Sequence, residues 1–444
     1  MPQGFSLRGR LRRLMPVEGA TRAPVDERPP LPELFLLGLQ WTAIIIPIVI
    51  IIGRIVGEAQ SDQLAQTVLF MRKTAFLIAL TMGGQVLLGH RLPLVAGPAS
   101  VLVVGVIASL GFSRTAINTS MMVGGLLLAI AAMTGLFAHI RRLFTPRVVA
   151  LILLLVAFTL APTIIQLIAD PGLRAPVLPR AAFAAIMPLL MFFASRRLRG
   201  IWKSTLILWS IVAGWCVWAL FFPGSSDTGK GGSHPVFLSF FTHMTTGLSF
   251  EPGVLLSFLV CFLGLAVNDL GSIESVGELI KATNRDRRVN RGIAVSGLAN
   301  ILAGFLGVVG PVNYSLSPGV IAATGCASRF TLLPTAVFMA CLACSSRAFA
   351  FIGTVPSIVV GSVFLYLSAY QIAAGLAVAA EEAGRFQMED GLVMGLPLLL
   401  GTVVAFAPAS WVAAFPLLLR PIAGNGFLVG VVAVLILEHV VFRR

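Results

Sequence analysis

The sequence predicts an all-α polytopic membrane protein whose fourteen spanning segments form two inverted seven-segment halves. Three observations carry that prediction: a composition too apolar for one water-soluble core, apolar runs of membrane-spanning length, and a proline/glycine break that recurs at the same place in each half.

Of the 444 residues 57% are apolar and 11% charged, and the mean hydropathy is +0.94. Such a chain has more apolar surface than a single soluble core can hide, so lipid must form part of its solvent. The formal charge of +14 would suit nucleic acid, but the basic residues lie mainly in short loops between apolar runs. That is the distribution of membrane topology rather than of a nucleic-acid-binding face. Cys216, Cys261, Cys326, Cys341 and Cys344 fall inside apolar stretches without disulfide or metal-ligand spacing, and read as small packing residues. His90, His139, His234, His243 and His439 read as loop or helix-end residues. No metal and no organic cofactor is expected.

Apolar runs separated by polar or Pro/Gly breaks place the segments at 34–57, 64–88, 94–111, 119–139, 146–169, 180–196, 203–223, 254–283, 292–309, 314–327, 330–350, 356–377, 391–409 and 423–442. Most match the roughly 20 residues that cross about 30 Å of hydrocarbon at about 1.5 Å per residue. Residues 1–33 are polar, proline-rich and basic without the apolar stretch of a cleavable leader, and are expected as a cytosolic tail. Segments 1–7 (34–223) form the first repeat and segments 8–14 (254–444) the second, joined by an extracytoplasmic loop at 224–253. With both termini in the cytoplasm, the inside loops collect Arg141, Arg142, Arg196, Arg197, Lys281, Arg287, Arg288 and the terminal Arg443 and Arg444. That bias fits the inner (plasma) membrane in this orientation. Arg72 and Lys73, inside segment 2, are expected to snorkel outward.

Segment 3 carries Gly97-Pro98-Ala99-Ser100 and segment 10 carries Tyr314-Ser315-Leu316-Ser317-Pro318-Gly319, each ahead of a short apolar helix. Pro98 and Pro318 both stand 64 residues beyond the start of their repeat (34 and 254). Seven is odd, so the second copy enters the membrane from the opposite side. Backbone amides cannot stay unpaired in hydrocarbon, so a matched pair of breaks belongs where protein or a polar cavity satisfies them, and points to a transport site. A half-helix that begins there offers free N–H groups and a positive dipole end to an acceptor atom.

Segment 8 carries Asn268, Asp269, Glu274 and Glu278. Ionisable groups inside a spanning helix are costly and usually face a cavity for a functional reason. Glu274 and Glu278, four apart, share a helix face and are the candidates for holding substrate and exchanging a proton. Asp269 points to another face and is the weaker candidate.

Glu274-Ser-Val-Gly-Glu278, the run Arg291-Gly-Ile-Ala-Val-Ser-Gly and the run Tyr314 to Arg329 with Pro318-Gly319 and Thr324 resemble the nucleobase/ascorbate transporter family, which includes uracil and xanthine permeases. The resemblance begins near residue 33. It implies a core domain of segments 1–4 and 8–11, a gate domain of segments 5–7 and 12–14, and a homodimer formed through the gates. It also implies proton-coupled uptake of a nucleobase, with sodium as the alternative coupling ion, held between the breaks of segments 3 and 10. Glu274 would be the acid that meets the substrate, with Ala99, Ser100 and Ser315 supplying hydrogen bonds. Where members carry Gln or Glu followed by Asn, this chain has Leu316-Ser317, which implies a pocket with fewer side-chain donors. The alternative is an anion carrier of the sulfate or bicarbonate type on the same fold, which a carboxylate facing the site disfavours. No nucleophile-base set supports an enzyme.

Overall fold

The computed structural model describes residues 24–60, 64–135, 145–170, 173, 175–199, 202, 206–222, 244–314, 317, 320–321, 326–381, 388–416, 419 and 423–442. In chain order the helices of the first part are α1 (Leu31–Gln60), α2 (Leu64–Leu87), α3 (Ser100–Ala108), α4 (Arg114–Met133), α5 (Pro146–Thr159), α6 (Ala161–Ile168), α7 (Val177–Arg197) and α8 (Leu206–Phe221). The second part has α9 (Pro252–Leu279), α10 (Arg285–Leu306), α11 (Leu332–Cys344), α12 (Ser346–Gly353), α13 (Ser357–Glu381), α14 (Met388–Ala405), α15 (Ala409–Ala413) and α16 (Gly426–Ile436). Among the described residues nine helices are long and apolar enough to cross a membrane, accompanied by shorter apolar helices at Leu206–Phe221, Arg329–Cys344 and Gly426–Val441. The chain is a multi-pass membrane protein.

Local chemistry sets several helix starts. The Ser113 hydroxyl accepts the Ala116 N–H at the head of α4, Thr145 accepts the Val148 N–H ahead of Pro146 on α5, and the Asn425 side chain accepts the Leu428 N–H on α16. Each pairs a donor that the first helical turn would otherwise leave bare.

The expectation of a wholly helical chain needs one correction. Two short strands, β1 (Ala96–Pro98) and β2 (Pro311–Asn313), pair antiparallel with Ala96 opposite Asn313, Gly97 opposite Val312 and Pro98 opposite Pro311. Pro98 and Pro311 have no N–H to give a helix and bias the residues before them toward extended backbone. The ladder supplies partners that extended chain needs away from water. Helix α3 then runs for only nine residues, about 14 Å and less than half the hydrocarbon thickness. Of the break predicted in segment 10, Ser317 is described, whereas Ser315, Leu316, Pro318 and Gly319 lie outside the described residues.

Around the strands, α4 lies along α10, α2 along α11 and α1, and α9 packs on α3, α4 and α10. The α4–α10 approach is close because a Cβ on Gly297 would stand 2.6 Å from the Ala129 amide nitrogen and one on Gly125 2.7 Å from the Gly297 carbonyl oxygen. In the rest of the molecule α5 packs on α13, α14 and α16, and α13 also meets α6, α7 and α8.

Candidate transport site

The two strands meet through side chains as well as backbone. Tyr314, the residue after β2, donates its N–H to Val95 O at 2.9 Å and its hydroxyl to Pro98 O at 2.6 Å. The tip of its ring lies against Gly97, where an added Cβ would come within 2.6 Å of Tyr314 Cζ and 2.7 Å of its hydroxyl. Ser317 is buried; its Oγ accepts the Val95 N–H and donates to Tyr314 O, both at 3.1 Å. Gly97, Pro98, Tyr314 and Ser317 are therefore brought together as one joint.

Helix α3 begins at this joint. Ala99 is its N-cap, buried and extended, with no side-chain cap, and its own N–H is taken by Gly310 O at 2.9 Å. Ser100, at the first helical position, is half-buried. An uncapped first turn leaves N–H groups and the positive end of the helix for a bound acceptor. The C-terminal half of α3 faces a cavity of ≈ 730 Å³, whose walls include Val104, Ile107, Thr159, Gln166, Phe406 and Gly424. This cavity lies where α3 meets α5, α6 and the ends of α14 and α16.

Behind β2 is a buried polar network. Asp269 on α9, fully buried, accepts from the Asn313 N–H at 2.7 Å and the Asn313 Nδ2 at 2.9 Å, both on Oδ1. One turn on, Ser272 donates to Asn313 O at 2.9 Å. Asn313 Nδ2 also reaches Ser296 Oγ at 3.4 Å, which receives Gln85 Nε2 at 3.1 Å. His90, equally buried, accepts the Leu92 N–H on Nδ1 at 3.0 Å, which leaves the ring proton on Nε2, 3.4 Å from Asn313 Oδ1. Burial holds this imidazole well below its ordinary range, at about 3, so it stays neutral. Arg288 closes the outer end, donating to His90 O and Arg91 O at 2.9 Å.

Glu274 is half-buried on α9 and has interactions of its own. It lies five residues beyond Asp269, about 140° around the helix. Glu278 lies on the same helix, and its side chain is outside the described residues.

One expectation is corrected. Arg72 and Lys73 do not snorkel outward: both are buried, Arg72 Nε donating to Ala343 O at 2.9 Å and Lys73 Nζ to Leu306 O at 3.1 Å. The carbonyls at the ends of α11 and α10 lack intrahelical donors and carry the negative end of the helix dipole, so a cation from α2 suits them. His90 does stand in the turn just past α2, as expected of a loop or helix-end residue, and is buried there as part of the network. Sequence reasoning missed Gln85, Ser296, Asn300 and Asn313. The signal was present, because uncharged polar side chains inside spanning helices need partners.

Residues 32–410 match the xanthine/uracil Permease family. A putative purine permease of Clostridium perfringens is 24% identical over 305 residues, which covers 67% of this chain and 65% of that protein. The putative purine permease YwdJ of Bacillus subtilis is 24% identical over 440 residues (90% of this chain and 94% of that protein). The uric acid permease PucK of Bacillus subtilis is 25% identical over 364 residues (78% and 81%). Among solved structures, the transmembrane domain of the cyanobacterial bicarbonate transporter BicA aligns with a TM-score of 0.62 at 14% identity, covering 88% of this chain and 97% of that one. The murine anion transporter Slc26a9, in its inward-facing state, aligns at 0.61 with 12% identity, covering 99% and 73%. At these identities the likeness to BicA and Slc26a9 is one of fold.

Proposed function

The chain belongs to the nucleobase/ascorbate transporter family, whose members are carriers rather than enzymes, and on that premise we propose that it takes up a nucleobase (uracil, xanthine or a related purine) with a proton. The observation that carries this reading is the joint of β1 and β2, which opens into a half-helix with an uncapped first turn. A planar, amide-rich base has the carbonyl acceptors that such a turn can bind, at the N–H groups that follow Ala99, beginning with Ser100, while Glu274 takes its N–H groups. Ser315, Leu316 and Ser317 are the further substrate-binding candidates, and Glu274 with Glu278 exchanges the proton. The names of the relatives, two putative purine permeases, a uric acid permease and a putative pyrimidine permease of Escherichia coli, support a nucleobase of either class.

In this proposal the helices around the strands, segments 1–4 and 8–11, form a core that moves against a gate of segments 5–7 and 12–14. The cavity between α3 and the gate helices is the vestibule on one side. The protein works as a homodimer in the inner membrane with both termini cytoplasmic. A second reading, an anion carrier, is favoured by the fold shared with BicA and Slc26a9. A carboxylate at the site suits a donor-bearing base and repels an inorganic anion, so the base is preferred.

Cells producing the protein are expected to accumulate labelled uracil, xanthine or urate, and a protonophore is expected to abolish the accumulation. Glu274→Gln is expected to lower it at least about tenfold, the cost of one hydrogen bond to a charged group. Normal accumulation by this variant would remove Glu274 from the mechanism.

A further inference from the structure

The carboxylate behind β2 has a use that the site described so far does not absorb. Asp269 is fully buried; the N–H and the Nδ2 of Asn313 converge on Oδ1, and the Ser296 hydroxyl also interacts with this carboxylate. Its other oxygen, Oδ2, is buried and has no hydrogen-bond partner. Among the described residues no cation forms an ion pair with it. The elements packed on α9 are α3, α4, α10, β2 and α16. Helices α3 and α16 and strand β2 carry no charged side chain, and α4 has only Arg114, at its first residue. The charges of α10, Arg285, Asp286, Arg287, Arg288 and Arg291, all sit in its first two turns. Arg288 is spent on the carbonyls of His90 and Arg91. The titratable neighbour across the strand is His90, which is neutral and touches Asn313 rather than the acid. Glu274 shares α9 but lies on another face.

A charged carboxylate held away from water with one bare oxygen and no counter-charge is far more unfavourable than a carboxylic acid with its proton on that oxygen. The charge on Oδ1 also decides how firmly β2 is held, because hydrogen bonds to a charged acceptor are roughly twice as strong as those to a neutral one. Asn313 is the end of the strand that pairs with β1, and its carbonyl is held by Ser272 from the same helix.

We infer that Asp269 is a proton-binding site of the carrier, whose Oδ2 takes up and releases a proton and thereby loosens or tightens the hold of α9 on β2 and on the joint with β1. Protonation weakens both bonds from Asn313 and frees the strand; release of the proton restores the grip once water reaches Oδ2. The coupling role rests on the transport reading above, whereas the protonation itself does not.

Infrared difference spectroscopy of the purified, substrate-free protein between acidic and alkaline pH tests the protonation. A carboxylic-acid carbonyl component should appear in the wild type and in Glu274→Gln, beside the bands of the other carboxyls, and be missing from Asp269→Asn. The same component undiminished in Asp269→Asn would overturn the inference, whatever the protein transports. In proteoliposomes, the ratio of uptake driven by a pH gradient to exchange uptake of the same base should fall at least about tenfold in Asp269→Asn, and a ratio equal to wild type would overturn the coupling role. Should Asp269→Asn not fold, Asn313→Val serves. It removes the side-chain donor that favours the charged form, and should move the pH of half-maximal uptake and of the infrared band upward by about one unit; no movement of either would overturn the inference. If the wild type carries no base at all, the transport reading falls while the infrared result still decides Asp269.

Discussion

The helices that surround the two strands and those that pack around α5 are equally apolar in sequence but differ in what they cover. In the first set, 61% of the most apolar stretch of α1 is buried, 72% of α2, 61% of α4, 67% of α9 and 56% of α10. In the second, α5 with α6 at the centre is 61% buried, but only 17% of α7, 22% of α13 and 28% of α14 is. The first set holds the buried Arg72, Lys73, Gln85, His90, Asp269, Asn300 and Asn313, whereas α7 exposes Ile186, Leu189, Leu190, Phe192 and Phe193. Costly polar groups are placed where protein surrounds them on all sides, and the broad apolar faces are left for lipid or a second copy. The proposed site falls in the first set, where protein surrounds the broken chain.

That comparison is most easily broken at Gly97. A larger residue there must displace the Tyr314 ring, which is pinned by its hydroxyl to Pro98 O. Overpacking of this kind costs about 1–3 kcal/mol. Placed at the joint, Gly97→Val is expected to reduce uptake roughly 100-fold, about 2.7 kcal/mol at the barrier. Uptake within twofold of wild type would mean that the joint is not the site.

A smaller effect is expected at Lys73. Lys73→Met keeps the length of the side chain but leaves the Leu306 carbonyl without this donor, a loss of about 1–3 kcal/mol, read as a lower unfolding midpoint in denaturant. An unchanged midpoint would show that the cation is dispensable to the packing of α2 on α10. The smallest effect belongs to the other set: Leu190→Ala on α7, at 62% exposure, should change stability by less than about 0.5 kcal/mol in detergent. A larger loss there would show that α7 is covered by more than solvent or lipid.

Much of this contrast could be read from the sequence, and the exceptions are instructive. Apolar runs located the spanning helices because their length is dictated by the bilayer. Pro98 marked the first break, since a residue without an N–H punctuates any helix. The strand that pairs with it, Pro311–Asn313, was not legible, because three residues are too few for an alternation to register. Lys73 was misread because its partner, a carbonyl 233 residues away, becomes visible only when the helices are packed. Asp269 was set aside for pointing away from Glu274; it does lie on another face, and that face holds the strand.

The central claim, a base-binding site at the joint of the two strands, is tested most directly by thermal unfolding of the purified protein with added ligands. A ligand that binds only the folded state at about 100 times its dissociation constant stabilises it by about 2.7 kcal/mol. Uracil, xanthine or urate should raise the melting temperature of the wild type, and Gly97→Val should lose that response, while bicarbonate and sulfate leave both unmoved. A rise with an inorganic anion and none with any base would contradict the account.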